Sequence, residues 1–251
     1  AEELEHQVNE RTAALRQTVG ELESFSYSIS HDLRAPLRAM QSFALILNEE
    51  CGAEISPQAK DYIRRITNAA ERMDRLIRDV LTYSRVARGE IQLVSIPLEP
   101  LLCEIIQSYP DSRAKSADIQ LNGPFPNVLA HEAILIQCFS NLLGNAIKFV
   151  APRVTPSVRI WSELTKDGKA ARLFFKDNAI GIAPVFHAKI LGIFERASTQ
   201  YEGTGIGLAI VKKGMERIGG RVGVESQAEQ GSTFWLELSL ANQGQRVSAN
   251  S

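Results

Sequence analysis

Up to Gly89 the apolar residues of this chain recur at helical intervals, and beyond it they do not. Tyr62, Ile66, Ala69, Met73, Leu76, Ile77 and Val80 keep a 3.6-residue period within a stretch from about Ser56 to Arg88, giving a long helix one apolar side. Ser56-Pro57 supplies an N-cap residue and a proline in the first helical position. A second helical register, Ser24 to Asn48 with Pro36 inside it, precedes this one, and the Glu49–Ile55 loop joins the two into a hairpin. One hairpin cannot cover its own stripe, whereas two make a four-helix bundle, so burial alone predicts a homodimer. After Gly89, short β-like runs (Ile91–Ile96, Val158–Leu164, Arg172–Lys176, Arg221–Glu225, Phe234–Leu240) alternate with helical stretches. That texture predicts an α+β domain beginning near residue 90.

At the N-terminus Leu4, Val8, Arg11, Leu15, Thr18, Leu22, Phe25 and Ile29 alternate steps of four and three, a heptad pattern. Residues 1–22 read as a coiled-coil signalling linker whose polar Arg11 and Thr18 suit a seam that shifts; a solvated amphipathic helix is the other reading. The expected organisation is linker 1–22, helical dimer module 23–90, α+β module 91–240 and a disordered tail 241–251. Because the heptads begin in mid-helix, an upstream sensor domain is expected beyond this sequence. The 28 Lys+Arg balance 29 Asp+Glu to a net charge of −1, so no global basic field points to nucleic acid. No run approaches the roughly 18 to 20 apolar residues of a membrane span, and AEELEHQVNE is too acidic for a secretory signal. A cytoplasmic location is expected, with any membrane-bound sensor outside this chain. Cys51, Cys103 and Cys138 are too widely spaced for a Cys-x-x-Cys site.

Chemistry gathers in four stretches. In Ser30-His31-Asp32-Leu33-Arg34-Ala35-Pro36-Leu37 a histidine stands beside a carboxylate one turn before a proline, which removes a backbone donor and favours a kink. A neutral imidazole is a competent nucleophile toward phosphorus, and an adjacent Asp can orient it and accept its proton. In Asn141-Leu142-Leu143-Gly144-Asn145-Ala146-Ile147-Lys148-Phe149, Asn141, Asn145 and Lys148 share one helical face at i, i+4 and i+7. Amide oxygens and a lysine there suit a hydrated Mg²⁺ bridging phosphates. Asp177-Asn178-Ala179-Ile180-Gly181-Ile182 puts a carboxylate at a strand end, where it can accept from an exocyclic amine such as that of adenine; a plain strand-ending turn explains it almost as well. Glu202-Gly203-Thr204-Gly205-Ile206-Gly207-Leu208 opens directly into an amphipathic helix, whose N-terminus favours a polyphosphate. It is neither a dinucleotide fingerprint nor a P-loop.

In this order, and followed by Gly219-Gly220 and Gly231-Ser232-Thr233-Phe234, the four stretches closely resemble the transmitter core of a two-component sensor histidine kinase, from about Phe25 to Leu240. SHDLRAPLR is similar to the phosphoacceptor box, NLLGNAIKF to the asparagine box and DNAIGI to the adenine-side glycine box, while KILGIFERA and GTGIGLAI resemble the phenylalanine box and the lid glycine box. The resemblance implies a dimeric four-helix bundle followed by an α/β sandwich that binds ATP, of the Hsp90, MutL and gyrase B type. It implies His31 as phosphoacceptor with Asp32 as its base or orienter, and Asn145 as the Mg²⁺ ligand with Asn141 and Lys148 near the phosphates. Asp177 and Gly181 fall at the adenine; Gly203, Thr204, Gly205, Gly207 and Leu208 fall at the lid, with Phe194 anchoring its other end. Arg196 is a candidate phosphate contact and Thr233 a further nucleotide contact. The implied partner is a response regulator receiver domain whose aspartate takes the phosphoryl group. The Arg88–Pro97 segment is the expected hinge between the two modules.

Two positions depart from the family. Its adenine turn usually reads Asp-x-Gly-x-Gly, and Ala179 replaces the first glycine. If that site needs positive φ or close approach to a base, its methyl costs about 1 kcal/mol or more. Ala35 stands where dual-activity relatives carry a Thr or Asn that orients a hydrolytic water, so weak or absent phosphatase activity is expected. Ala179 alone supports an alternative, a catalytically impaired nucleotide-binding scaffold. A clamp-type ATPase shares the nucleotide fold but does not account for the box around His31.

Overall fold

The computed structural model describes residues 32–49, 56–87, 91–108, 117–198 and 201–241. His31, the heptads of residues 1–22, the Glu49–Ile55 loop beyond Glu49 and the tail beyond Ala241 lie outside the described residues. The chain divides into two compact units, Ala1–Ser84 and Arg85–Ser251.

The first unit contains α1 (residues 32–49 as described) and most of α2 (Pro57–Ala87). Ser56 caps α2, its Oγ accepting from the Ala59 amide at 3.2 Å. Asp61 in the first turns pairs with Arg64 and Arg65, and Asp74 pairs with Arg34 of α1 and with Arg78. Leu37, Ala70, Ile77 and Leu81 form the buried cluster between the helices. The apolar stripe read from the sequence divides here. Ile77 is buried, whereas Tyr62, Ile66 and Met73 remain 55%, 50% and 46% exposed, alongside Leu33, Met40, Phe43 and Leu47 of α1. A single hairpin therefore shows two apolar faces and covers one.

The second unit orders β1 (Val94–Pro97), α3 (Leu98–Ser108), β2 (Asp118–Asn122), β3 (Asn127–Ala130), α4 (Glu132–Lys148), β4 (Ser157–Leu164), β5 (Ala170–Asp177), α5 (Pro184–His187), α6 (Gly207–Arg217), β6 (Arg221–Ser226) and β7 (Ser232–Ser239). Its main sheet runs β2-β4-β5-β7-β6, with β2 parallel to β4 and the other pairs antiparallel, and β1 and β3 form a separate two-stranded ribbon. β2 and β3 are strands that the β-like runs named from the sequence do not include. Of the expected hinge, Val94–Pro97 is registered strand against β3, and 88–90 lie outside the described residues. Ala241, the first residue of the expected tail, is held by a bond from its amide to the Asn127 carbonyl.

Strand alternation gives the sheet two different faces. Val158, Ile160, Leu173, Phe175, Phe234 and Leu236 point inward and meet α3, α4 and α6 in one core with Leu102, Phe139, Leu143, Val211 and Met215. Each such large side chain contributes about 1.5–3 kcal/mol by burial. Gly214 lets α6 close on α4, because a Cβ there would lie 3.0 Å from Cys138 Sγ. Burial pushes the Cys138 thiol up to about 12, so it is an inert core residue. On the outer face Trp161, Phe174 and Trp235 stand in register across three strands. Trp161 stacks on Phe174 at 4.9 Å, Arg172 lies 4.6 Å over the Trp235 ring, and that ring covers Gly223, where a side chain would collide with it. Among the described residues no helix is long and apolar enough to cross a membrane.

Candidate functional site

α4 carries the first part of the site. Leu142, Leu143, Ala146 and Ile147 are buried while Asn141, Asn145 and Lys148 are half-exposed, so the predicted polar face exists. Lys148 lies in the last turn, where positive charge favours the helix dipole. Asn141 donates from Nδ2 to the Gln137 carbonyl at 2.7 Å, which commits its amide hydrogen to the helix and leaves Oδ1 turned toward α6.

The glycine loop comes against this face. A Cβ on Gly207 would sit 2.6 Å from Asn141 Oδ1, and one on Gly203 would sit 3.6 Å from Lys148 Nζ. Gly205 has φ +76, and a Cβ there would meet the Phe194 backbone at 2.8 Å, so only glycine closes the loop onto the 194–195 segment. Ile206 is fully buried and its amide donates to Thr204 Oγ1 at 3.4 Å. The N-cap residue of α6 is Ile206, whose side chain makes no cap hydrogen bond, and the first turn of the helix opens on Gly207 directly after the loop. Leu208 packs into the core and anchors that turn. A helix N-terminus and an ammonium beside a glycine-lined loop are the kind of surroundings that suit an anion.

The third part lies at the end of β5. Asp177 is 7% exposed, and its Oδ1 accepts from the amides of Ala179 and Ser232, both at 2.9 Å. Burial pushes its carboxyl up to about 6, with the two amide bonds pulling the other way. Gly181 has φ +70 and Gly231 φ +78; a side chain on the first would overlap the Gln227 carbonyl, and on the second the Asp177 carbonyl. Ala179 is buried and is not among the positive-φ residues. The left-handed conformation that its methyl was expected to strain belongs to Gly181 instead.

Three predicted residues sit differently from their expected surroundings. Phe194 adopts φ +64 and leaves its ring 62% exposed, so its backbone makes the contact with Gly205. Arg196 donates from Nη2 to the Tyr201 carbonyl at 2.6 Å, which ties one of its five N–H groups to the loop's own backbone. Thr233 pairs with Lys176 on the outer face of the sheet, opposite the buried Ser232 and Phe234. Ser232 is the β7 residue at Asp177, with its Oγ 3.0 Å from Ser226 Oγ. Strand alternation counted back from the apolar Phe234 would have chosen it.

Residues 21–89 match the His Kinase A (phospho-acceptor) domain, and residues 130–242 match the histidine kinase-, DNA gyrase B- and HSP90-like ATPase. The chain matches the transmitter core of a histidine kinase. Its two domains are those of a transmitter core, a helical region followed by an α/β ATPase domain. The chain is 33% identical over 231 residues to the phytochrome-like protein Cph1 of Synechocystis sp., covering 91% of this chain and 30% of that protein. It is 32% identical over 238 residues to the methanogenesis regulatory histidine kinase FilI of Methanothrix harundinacea, covering 92% of this chain and 26% of that protein. The crystal structure of full-length ShkA in complex with AMPPNP superposes with a TM-score of 0.62 at 29% identity, over 86% of this chain and 46% of ShkA. The transmitter core thus spans less than a third of the length of these curated relatives. In its helical part Asp32, Ala35 and Pro36 are exposed on α1 while Leu37 turns inward.

Proposed function

We propose that this chain is the ATP-dependent kinase core of a longer sensor protein, which phosphorylates itself on His31 and passes the phosphoryl group to an aspartate of a response regulator receiver domain. What supports this above all is the meeting of the Asn141 and Lys148 face of α4 with Gly203 and Gly207, in a unit that follows the box around His31.

The residues present fit Mg-ATP. Asp177 keeps one carboxylate oxygen on two backbone amides, which fixes the group while Oδ2 can accept from the adenine amine. Gly181 and Gly231 bring the surrounding backbone close without side chains. The loop from Gly203 to Gly207, the first turn of α6 and Lys148 receive the phosphates, and Asn145 and Asn141 offer amide oxygens to Mg²⁺. When bound, Mg²⁺ neutralises phosphate charge, and the protein's share of the work is positioning and electrostatics. His31 forms the new bond to phosphorus with an imidazole nitrogen as the bond to the ADP oxygen breaks, and Asp32 takes the imidazole proton. The apolar stripes left open on α1 and α2 support a homodimer whose two hairpins close into a four-helix bundle. The division into a linker over 1–22, a phosphotransfer domain over 23–90, a nucleotide domain over 91–240 and a tail over 241–251 belongs to the same proposal, as do the missing sensor and a cytoplasmic location. Ala179 is not among the positive-φ residues, which leaves the impaired-scaffold alternative only the approach of its methyl to the base.

Incubation with γ-labelled ATP and Mg²⁺ tests the function. Acid-labile, alkali-stable label is expected on the parent and absent from His31→Gln and Asn145→Ala. An unlabelled parent that remains dimeric would sink the proposal. With Ala35 after the phosphoacceptor, the core is expected to leave a phosphorylated receiver domain largely intact, and rapid nucleotide-free dephosphorylation by the core would contradict that.

A further inference from the structure

Phe149, the residue that ends α4, has two neighbours that the motifs do not connect. The Lys148 ammonium lies 5.4 Å from its ring centroid. The Tyr201 ring meets it edge-on, with centroids 5.5 Å apart and planes at 61°. Tyr201 is itself held from two sides: its hydroxyl donates to the Val150 carbonyl at 3.4 Å, and its own carbonyl accepts from Arg196 at 2.6 Å. The same Lys148 ammonium borders Gly203, at 3.6 Å from where a side chain would begin.

We propose that Tyr201 is a positioning residue, which acts through the Phe149 ring to hold the Lys148 ammonium at the glycine loop for a polyphosphate. The inference rests on the nucleotide-binding reading above and adds to it what orders the lysine. A lysine carries its charge on a flexible four-carbon stem, and ordering that stem on binding costs affinity. An aromatic face attracts the cation before any ligand arrives, so part of the ordering is already done. The edge-on Tyr201 ring is the favoured partner geometry for Phe149 and keeps that face from turning away. Arg196 then serves the site by helping to fix Tyr201 through that residue's carbonyl.

A positioning role separates from a merely structural one by ligand. Lys148 is placed to act on phosphates, so its misplacement weakens ATP and spares adenosine, whereas a damaged site weakens both. ATP affinity of the full chain is read by displacement of a fluorescent ATP analogue, and adenosine affinity by ligand-observed NMR. Tyr201→Ala is expected to weaken ATP about tenfold and adenosine by less than about twofold. Tyr201→Phe recovers most of the loss because the ring contact remains. Phe149→Leu, which keeps apolar bulk without a π face, reproduces the Tyr201→Ala pattern, and the double variant is no worse than either single one. Equal losses for ATP and adenosine overturn the inference, as does Tyr201→Ala binding ATP like the parent. A parent that binds neither ligand overturns the proposed function itself, a result distinguishable from a binding parent with an indifferent Tyr201.

Discussion

In the ATPase unit Phe139 and Leu173 are completely buried, whereas in the hairpin Phe43 is 67% exposed and Tyr62 55%. Both units are built from amphipathic elements of ordinary composition, and they differ in what lies opposite the apolar side. α4 and α6 meet a five-stranded sheet from the same chain, so each inward residue has a partner. Among the described residues of the hairpin unit, α1 and α2 close the narrow cluster of Leu37, Ala70, Ile77 and Leu81 on each other. A unit that binds a small ligand can complete itself, while the hairpin keeps a second face open, as the proposed sharing between two copies requires.

Charging the open face should break this contrast most severely. Ile66→Asp with Met73→Asp is expected to weaken dimerisation by about a hundredfold or more, by analytical ultracentrifugation, while nucleotide affinity stays near the parent value. A variant that remained dimeric would remove the stripe from the interface. Gly231→Ala attacks the closed unit instead: positive φ and overlap with the Asp177 carbonyl should cost about 2–4 kcal/mol in denaturant unfolding, with the dimer intact. A loss below about 1 kcal/mol would show that the turn relaxes easily.

Asp177→Asn sharpens the comparison by separating stability from binding. The folded-state carboxyl is raised from the usual 3.8 to about 6, so its favourable contribution is present below the lower value and is lost as pH rises through the higher one. Asparagine removes that pH dependence and keeps an oxygen for the Ala179 and Ser232 amides. At pH 8 the variant should therefore be the more stable protein, by on the order of 3 kcal/mol, with the advantage shrinking toward pH 5. ATP affinity should fall about a hundredfold, because the amide in place of Oδ2 cannot accept from adenine. Thermal melts at the two pH values check the first expectation, and equal melting temperatures at pH 8 would refute it. The smallest effect belongs to Asp74→Asn, whose partly exposed pairs with Arg34 and Arg78 should change hairpin stability by less than about 1 kcal/mol in a chemical melt.

Periodicity made the faces of α4 and the start of α6 legible, because burial and polarity there repeat with the helix itself. The sequence reading failed where a side chain's surroundings come from elsewhere in the chain. β2 alternates regularly but over only five residues at the sheet edge, and β3 spans four, too few to stand out from a loop. Ser232, whose amide meets Asp177, is not named from the sequence beside Thr233, because on a strand neighbouring residues face opposite sides. Half of the expectation at Ala179 concerns backbone conformation, and no residue name reveals that Gly181 rather than Ala179 takes the positive φ. Tyr201 and Phe149 lie 52 positions apart, since 201 − 149 = 52, and only the fold brings their rings together.

The outer-face aromatic row has an optical consequence. Both tryptophans of the chain, Trp161 and Trp235, belong to the ATPase unit, one stacked on Phe174 and the other beneath Arg172. Intrinsic tryptophan emission therefore reports the unfolding of that unit and is blind to the hairpin, while far-ultraviolet helix signal registers both. In the intact chain two spectroscopic channels can follow two melting events, and a gap between their midpoints measures how independently the units unfold.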